Sequence, residues 1–423
     1  MAIATYVPTT SSSNINKIWR KVQGELQPGF QFMSEEYELL DELRNFQVDW
    51  SAREITVPID ITDDTGVASI AEGGYEARPQ TPNVQEIQFT WTFMNKRFTA
   101  SRTAKYIDQL NPEAELKRQL IYQGMKAIQA IGRHFSDYFW GTGNAYLATN
   151  TTAATQASGA YTLGNIYGNA TYPAASQTAY AVDKFRVGDY VALISSSALV
   201  ANAIGVITAI TPATPSITVT WNGSVTTAGG EFIVKANSLG NTAVGDTDFG
   251  NGLTGMLDFM TTASIHNLSN ASVPRWFPQF TDTSGGRLSG VRIHKGADLL
   301  FNNGGGKLNT VLLSQGVYRD MIALQQASLR FTDPYALEVD GDIKRKGTGF
   351  FKSRRALPQT AIGIDKGSFY RLTLLPKPSE KPVWDDGFKL QDQSGYVFSI
   401  DFPCQLITTN RANMVYWQSL TES

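Results

Sequence analysis

Apolar residues recur along this chain at distinct spacings, and each spacing predicts a different element. Between Val84 and Ala100, Ile87, Phe89, Trp91 and Phe93 alternate with polar residues at period two, the pattern of a half-buried strand. Arg53 to Ile61 also reads as extended, so two long strands are predicted. The segment between them, Thr65-Gly66-Val67-Ala68-Ser69-Ile70-Ala71-Glu72-Gly73-Gly74-Tyr75 and then Pro79 and Pro82, is too rich in Gly and Pro to continue either strand. The prediction is a long hairpin with a flexible tip. An isolated two-stranded hairpin is marginal in water, so it needs a surface to rest on, in its own chain or a neighbour's.

The second spacing is helical. Asn111-Pro112-Glu113-Ala114-Glu115 supplies an N-cap residue, a proline at the first helical position and carboxylates at the positive end of the helix dipole. Leu116, Leu120, Met125, Ile128, Ile131, Phe135 and Phe139 follow at intervals of three to five and continue to the glycines at 141 and 143. The spacing predicts one helix, about 40 Å long at ~1.5 Å per residue.

Residues 145–249 lose this contrast and become rich in Thr, Ala, Ser, Asn and Gly. Strand-like runs at Tyr190–Ile194, Ile204–Ile210, Ile217–Trp221 and Phe232–Lys235 predict a small β-domain, with Asp183, Lys184, Arg186, Asp189 and Glu231 at its turns. After Gly250 a helix near Gly296–Asn302, a strand at Val311–Leu313 and a helix over Val317–Gln326 predict a compact mixed α/β core. Phe369–Leu375 and Tyr396–Trp417 read as strands able to return beside the long helix. At the other end, residues 1–35 set isolated apolar anchors, Ile18, Trp19, Phe30 and Phe32, in a polar background without a period. That is the pattern of an arm that gains order by lying on something else. A short acidic helix, Ser34 to Leu43, follows it.

A length of 423 residues exceeds what one hydrophobic core usually serves, so more than one domain is expected. With 42% hydrophobic and 17% charged residues the chain is neither disordered nor fibrous in composition, and its net charge of -2 excludes a surface that tracks nucleic acid throughout. No basic stretch followed by an apolar core opens the chain, and no apolar run spans a bilayer. The expectation is a chain made and kept in a cytoplasm, without a membrane contact. Cys404, the only cysteine, lies in the apolar run Phe402-Pro403-Cys404-Gln405-Leu406 and reads as a buried thiol.

Candidate chemistry is sparse. His134, His266 and His294 lack metal-ligand spacing, so no metal site is expected. Gly304-Gly305-Gly306-Lys307 is superficially similar to a phosphate-binding loop. Leu308 stands where Ser or Thr is required, however, and no Gly stands five residues before Gly306, so a turn is expected. The carboxylate pairs Asp63-Asp64 and Asp385-Asp386 sit in turn-like contexts, and no Gly-X-Ser-X-Gly elbow occurs. Neither a catalytic residue nor a cofactor site is expected. The dense basic patch, Lys344-Arg345-Lys346 with Lys352, Arg354 and Arg355, suits a phosphate or an acidic neighbour if it is not simply a solvated loop.

Taken in order, these segments resemble the tailed-phage major capsid family with the Hong Kong ninety-seven fold, which encapsulin compartments share. Ala68-Ser69-Ile70-Ala71-Glu72-Gly73-Gly74 is similar to that family's extended-loop tip, and residues 84–100 to its return strand leading into Ser101. Ile128-Gln129-Ala130-Ile131-Gly132-Arg133-His134-Phe135-Ser136-Asp137 with Gly141-Thr142-Gly143 resembles the end of its spine helix. Gly252-Leu253-Thr254-Gly255-Met256-Leu257 resembles the segment that follows almost directly in short members.

The resemblance implies an α+β fold of the phage capsid type. Its parts are an amino-terminal arm with a short helix (1–44), an extended loop (45–105), the spine helix and start of a peripheral domain (106–144), an inserted β-domain (145–249), an axial domain (250–365) and a return to the peripheral domain (366–423). It implies a non-enzymatic major capsid protein that forms hexamers and pentamers of an icosahedral shell around double-stranded DNA in the virion. The alternative is an encapsulin-like compartment shell. Its partners are expected to be further copies of itself, portal and scaffolding proteins, a decoration protein and weakly contacted double-stranded DNA. Candidate inter-subunit contacts are Trp19, Phe30 and Phe32 in the arm, Ile70, Glu72, Tyr75 and Arg78 in the loop, and Arg345, Arg354 and Arg355 in the basic patch. Some family members cross-link through a loop lysine. Residues 62–83 contain no Lys, so no cross-link through this tip is expected. A rival reading, an enzyme or carbohydrate-binding protein, requires a pocket of convergent polar groups that the sequence does not offer.

Overall fold

The computed structural model describes residues 44–47, 54–60, 84–101, 114–168, 180–237, 243–260, 265, 268, 278, 280–328, 348–373, 383–384, 388–389 and 395–422. In chain order they form β1 (Arg44–Gln47), β2 (Glu54–Asp60), β3 (Val84–Thr90), β4 (Thr92–Ser101), α1 (Ala114–Trp140), β5 (Ala148–Asn150), β6 (Ala153–Ile166), β7 (Tyr190–Ser195), β8 (Ala198–Thr211), β9 (Ser216–Ala228) and β10 (Phe232–Lys235). Then come α2 (Met256–Met260), β11 (Phe280–Asp282), α3 (Gly290–Gly304), β12 (Thr310–Ser314), α4 (Gln315–Ser328), β13 (Gly349–Ser353), β14 (Ala361–Ile364), β15 (Phe369–Thr373), β16 (Val383–Trp384), β17 (Phe388–Lys389), β18 (Gly395–Thr408) and β19 (Met414–Trp417).

One compact unit gathers β1, β4, α1 as far as Asp137, and residues 371–405. Its organising strand is β18, which pairs antiparallel with β4 from Gly395↔Ser101 to Cys404↔Thr92 and also receives β16 and β17. Phe402 meets Phe135 of α1 edge-on, ring centroids 6.0 Å apart, so the returning strand packs beside the long helix as the sequence predicts. Cys404 is buried and forms no disulfide.

The helix buries Leu120, Ala127, Ile128, Ile131 and Phe135, a row at steps of three and four with Gly124 between. Met125 does not belong to it and is 42% exposed. Five residues beyond Leu120, a side chain has turned about 140° away from the buried face. The predicted strand over Val84–Ala100 is likewise interrupted at Trp91. Ile87 and Phe89 are buried in β3, but in β4 the buried positions are Thr92 and Met94, leaving Phe93 66% exposed. A shift of one residue in a period of two exchanges the faces, so the expected row Ile87, Phe89, Trp91, Phe93 is corrected at its last member.

The other unit takes in β2 and β3, residues 138–370 and residues 406–423. Here β2 and β3 form a two-stranded antiparallel ladder running from Glu54↔Thr90 to Asp60↔Val84. The predicted tip between them lies outside the described residues. A five-stranded mixed sheet, in the order β11-β19-β14-β12-β13, carries Val311, Leu313, Val415 and Trp417. These pack with Ile293 and Leu300 of α3 and with Val317 and Met321 of α4. Gly296 allows α3 to lie directly on Trp417, because a Cβ there would come within 2.5 Å of the indole. The Gly304-Gly305-Gly306 run ends α3. Gly305 is left-handed at φ 70, its N–H caps the Phe301 carbonyl, and the Gly306 N–H donates to Asn413 Oδ1 at 3.1 Å.

Within the same unit, β10-β5-β6-β9-β8-β7 close into a barrel. Ala192, Ile194, Ile204 and Val234 pack in one internal cluster, and buried Trp221 donates its indole N–H to the Tyr161 hydroxyl at 2.7 Å. Glu231 is buried at the rim with both oxygens used, accepting from the Asn150 amide at 2.9 Å and the Ala228 N–H at 2.6 Å. The sequence runs anticipated β7 to β10 but not β5 or β6. Much of β6 is Ala, Thr, Ser and Gly, which carries little apolar alternation, and its ladder with β9 supplies what its own side chains do not.

Candidate functional site: the interaction surfaces

The expected contact residues Trp19, Phe30, Phe32, Ile70, Glu72, Tyr75, Arg78 and Arg345 lie outside the described residues. The two that are described part company. Arg354 is a surface residue, its side chain 56% exposed, and pairs with Asp183 at 3.3 Å. Arg355 is only 3% exposed and donates through Nη1 to the Asp183 carbonyl at 2.8 Å. Arg355 therefore serves inside the chain, its guanidinium donating to a backbone carbonyl of the barrel unit's Asp183.

The Arg355 carbonyl completes this link between the barrel and the mixed sheet. It accepts from the Tyr167 hydroxyl at 2.9 Å and from Lys184 Nζ at 3.2 Å, and Lys184 also donates to the Tyr167 hydroxyl at 2.5 Å. Lys184 is buried and lies over the Tyr167 ring as well. A buried ammonium is tolerated because oxygens and a ring face surround it.

A second link joins the end of α1, α2 and the lead into β19. The Gly143 N–H donates to Asp258 Oδ2 at 2.5 Å, and the Arg411 guanidinium donates to the Phe259 carbonyl at 3.0 Å from Nε and 2.8 Å from Nη2. Burial pushes the Asp258 carboxyl up to about 6, against the pull of the Gly143 and Gly255 N–H groups and of Arg411. Burial likewise brings Arg411 down to about 10, opposed by Asp258. Neither link was foreseen from the sequence. Lys184, Asp258 and Arg411 stand in unremarkable local contexts, and only the tertiary approach of distant segments gives each its partners.

A polar cleft of about 150 Å³ lies between Tyr180 and Asp183 on one side and Gln315, Arg319, Arg354 and Glu422 on the other. One Glu422 carboxylate oxygen is taken by the Ser314 hydroxyl and by the Gln359 N–H. The cleft mixes charges of both signs, and the hydroxyl–carboxylate pair in it, Ser314 with Glu422, joins two segments of the same unit. Among the described residues, no group of three or more His, Cys, Asp or Glu is placed to hold a metal, and no helix is long and apolar enough to cross a membrane.

The exposed apolar side chains are more informative. Phe93 on β4 is 66% exposed, and Tyr122 on α1 is 64% exposed with Met125 one turn along. Val187 and Tyr190 stand out from the barrel, and Val291 and Phe301 from α3. Large apolar groups left in water on several elements are available for contact, although single exposed side chains do not by themselves mark a site.

In chain order the described elements are a two-stranded ladder, a long helix on which a returning strand packs, a closed barrel and a mixed α/β sheet. No protein-family profile matches the chain, and no curated protein matches it. Among solved structures, a chain of the cyanophage A-1(L) capsid asymmetric unit aligns at TM-score 0.51 and 9% identity, covering 91% of this chain and 93% of that one. The capsid of the native GTA particle aligns at TM-score 0.45 and 10% identity over 91% of both chains. A Mycobacterium phage Bobi chain aligns at TM-score 0.43 and 10% identity over 91% of this chain and 90% of that one. The fold assignment rests on the first of these, and the fold is that of phage capsid proteins.

Proposed function

We propose that this chain is the major capsid protein of a tailed phage, building an icosahedral shell of hexamers and pentamers around double-stranded DNA. The observation that carries the proposal is the fold shared with the cyanophage capsid chain over 91% of the length. In this reading the parts are an arm (1–44), an extended loop (45–105), a spine helix (106–144), a barrel inserted at 145–249, an axial domain (250–365) and a return to the peripheral domain (366–423). The physics supports it from another side. Aromatics left in water, Phe93 and Tyr122 among them, gain when each lies against a neighbour in a ring that closes.

The arm residues Trp19, Phe30 and Phe32, the loop residues Ile70, Glu72, Tyr75 and Arg78, and Arg345 and Arg354 are the proposed contacts, with Arg355 as an internal support. The chain performs no catalysis in this role. Its other partners are portal and scaffolding proteins, a decoration protein and packaged DNA, contacted weakly because the net charge is only -2.

The test is negative-stain imaging and light scattering of the purified chain, with and without a scaffolding protein. Uniform hollow shells or capsomer rings are expected. A chain that stays monomeric at high concentration under both conditions would refute the proposal.

A further inference from the structure

Two segments cross where the barrel meets the mixed sheet: the connection from β6 to β7, at Asp183 and Lys184, and the chain after β13, at Arg354 and Arg355. Each gives a buried cation to the other's backbone. Lys184, 5% exposed, donates to the Arg355 carbonyl at 3.2 Å, and Arg355 donates to the Asp183 carbonyl at 2.8 Å. The Tyr167 hydroxyl closes the cluster on the Arg355 carbonyl at 2.9 Å. Tyr167 reaches it from a positive φ of 54°, a conformation that is strained for a bulky side chain and persists only where its surroundings impose it.

Other features of this junction are lighter. The apolar cluster of the barrel around Ile194, Ile204 and Val234 and that of the mixed sheet around Val311, Leu313 and Trp417 share no residue. The adjacent Arg354–Asp183 pair is largely exposed at the edge of a polar cleft, where an ion pair holds little. The chain enters and leaves the barrel through a narrow stem, in which the Gly252 N–H donates to the Gly143 carbonyl at 3.1 Å and the Tyr138 hydroxyl donates to Asp248. A Cβ on Gly252 would lie 2.9 Å from that carbonyl oxygen, so the two passing chains touch backbone to backbone. Short segments of this kind at the ends of elements are where hinges form.

We propose that the Lys184–Tyr167–Arg355 cluster is a latch that holds the barrel in one orientation on the mixed sheet, and that the barrel turns about the stem at Gly143 and Gly252 when the latch is opened. Two buried cations facing carbonyls add little net stability, because each has lost its water, and apolar side chains of similar size often serve as well. What their directional hydrogen bonds supply is a single geometry. The latch is independent of the shell reading, since it lies wholly within one chain.

The test is a distance distribution measured in the full chain. Ala198 on the barrel and Asn302 on α3 are both exposed, and each is replaced by Cys and spin-labelled, while buried Cys404 is left unlabelled under native conditions. Labelled chains are diluted into unlabelled ones, so that neighbours in any assembly do not contribute. Lys184→Met is expected to fold with an unchanged far-ultraviolet spectrum while the distribution broadens roughly twofold. Val234→Ala, in the barrel's own core, should lower the thermal midpoint and leave the width as it was.

A Lys184→Met distribution as narrow as that of the unsubstituted chain would overturn the proposal. Equal broadening by Val234→Ala would overturn it too, since the width would then report general loosening. If Lys184→Met does not fold, Tyr167→Phe, which removes only the hydroxyl, takes its place: broadening supports the latch and an unchanged width refutes it. Imaging the same samples for shells separates the two readings, because broadening without shells removes the shell reading alone, and shells without broadening remove the latch alone.

Discussion

Asp258 shows how a single group can respond to pH against the usual trend. Its carboxyl titrates at about 6 in the fold and at about 4 in the unfolded chain. The folded chain therefore holds this proton more tightly. The stability it contributes is fully present below pH 4 and is lost as pH rises through about 6. Going from pH 5 to pH 7.5, this one group should withdraw about 1 kcal/mol, and Asp258→Asn should not. Denaturant midpoints of the two chains at both pH values check this, and parallel curves would show that Asp258 does not titrate there. Gly255 is a steric counterpart, because a Cβ on it would lie 2.1 Å from the Gly141 carbonyl oxygen. Gly255→Ala should cost about 2–4 kcal/mol, or fail to give soluble protein. Gly245→Ala, whose Cβ would meet nothing within 4 Å, should leave the thermal midpoint unchanged.

At the scale of elements, the turn joining β7 to β8 places both Ser196 and Ser197 at positive φ, 49° and 85°. Two-residue hairpin turns of that geometry favour Asn-Gly. Replacing the pair with Asn-Gly should raise stability by about 1 kcal/mol, read as a higher thermal midpoint, since the native φ values are kept at a lower backbone cost. The interruption at Trp91 makes a sharper prediction for β4. Met94→Ser removes a buried side chain and should cost about 2–4 kcal/mol. Phe93→Ser, one residue earlier, should cost under about 1 kcal/mol, because Phe93 already stands in water. Equal losses from the two variants in a denaturant titration would mean that the strand had been assigned the wrong face.

For the whole molecule, the shell reading turns Phe93 and Tyr122 from local oddities into predictions. Exposed aromatics anchor interfaces, where truncating one commonly costs about 2 kcal/mol or more. Phe93→Ser and Tyr122→Ser should therefore leave the single chain folded and lower the fraction that sediments as shells at a given concentration. Full assembly by both variants would remove these positions from the list of contacts. Arg354, whose pair with Asp183 is largely exposed, should matter little to stability on its own.

The sequence by itself determined the long helix, the two strands of the ladder, the β-rich character of 145–249 and the helix-strand-helix run after Gly290. In each of these, periodicity and end signals lie within a few neighbouring residues. It also carried the ordered resemblance to a capsid fold. Tertiary structure alone decided which face of β4 is buried, that Met125 leaves the helix stripe, that β6 is a strand, and that Arg355 supports the interior. The physical reason is common to all four. Each depends on what approaches from elsewhere in the chain, a pairing strand, a packed helix or a carbonyl to satisfy, and no local pattern records that approach.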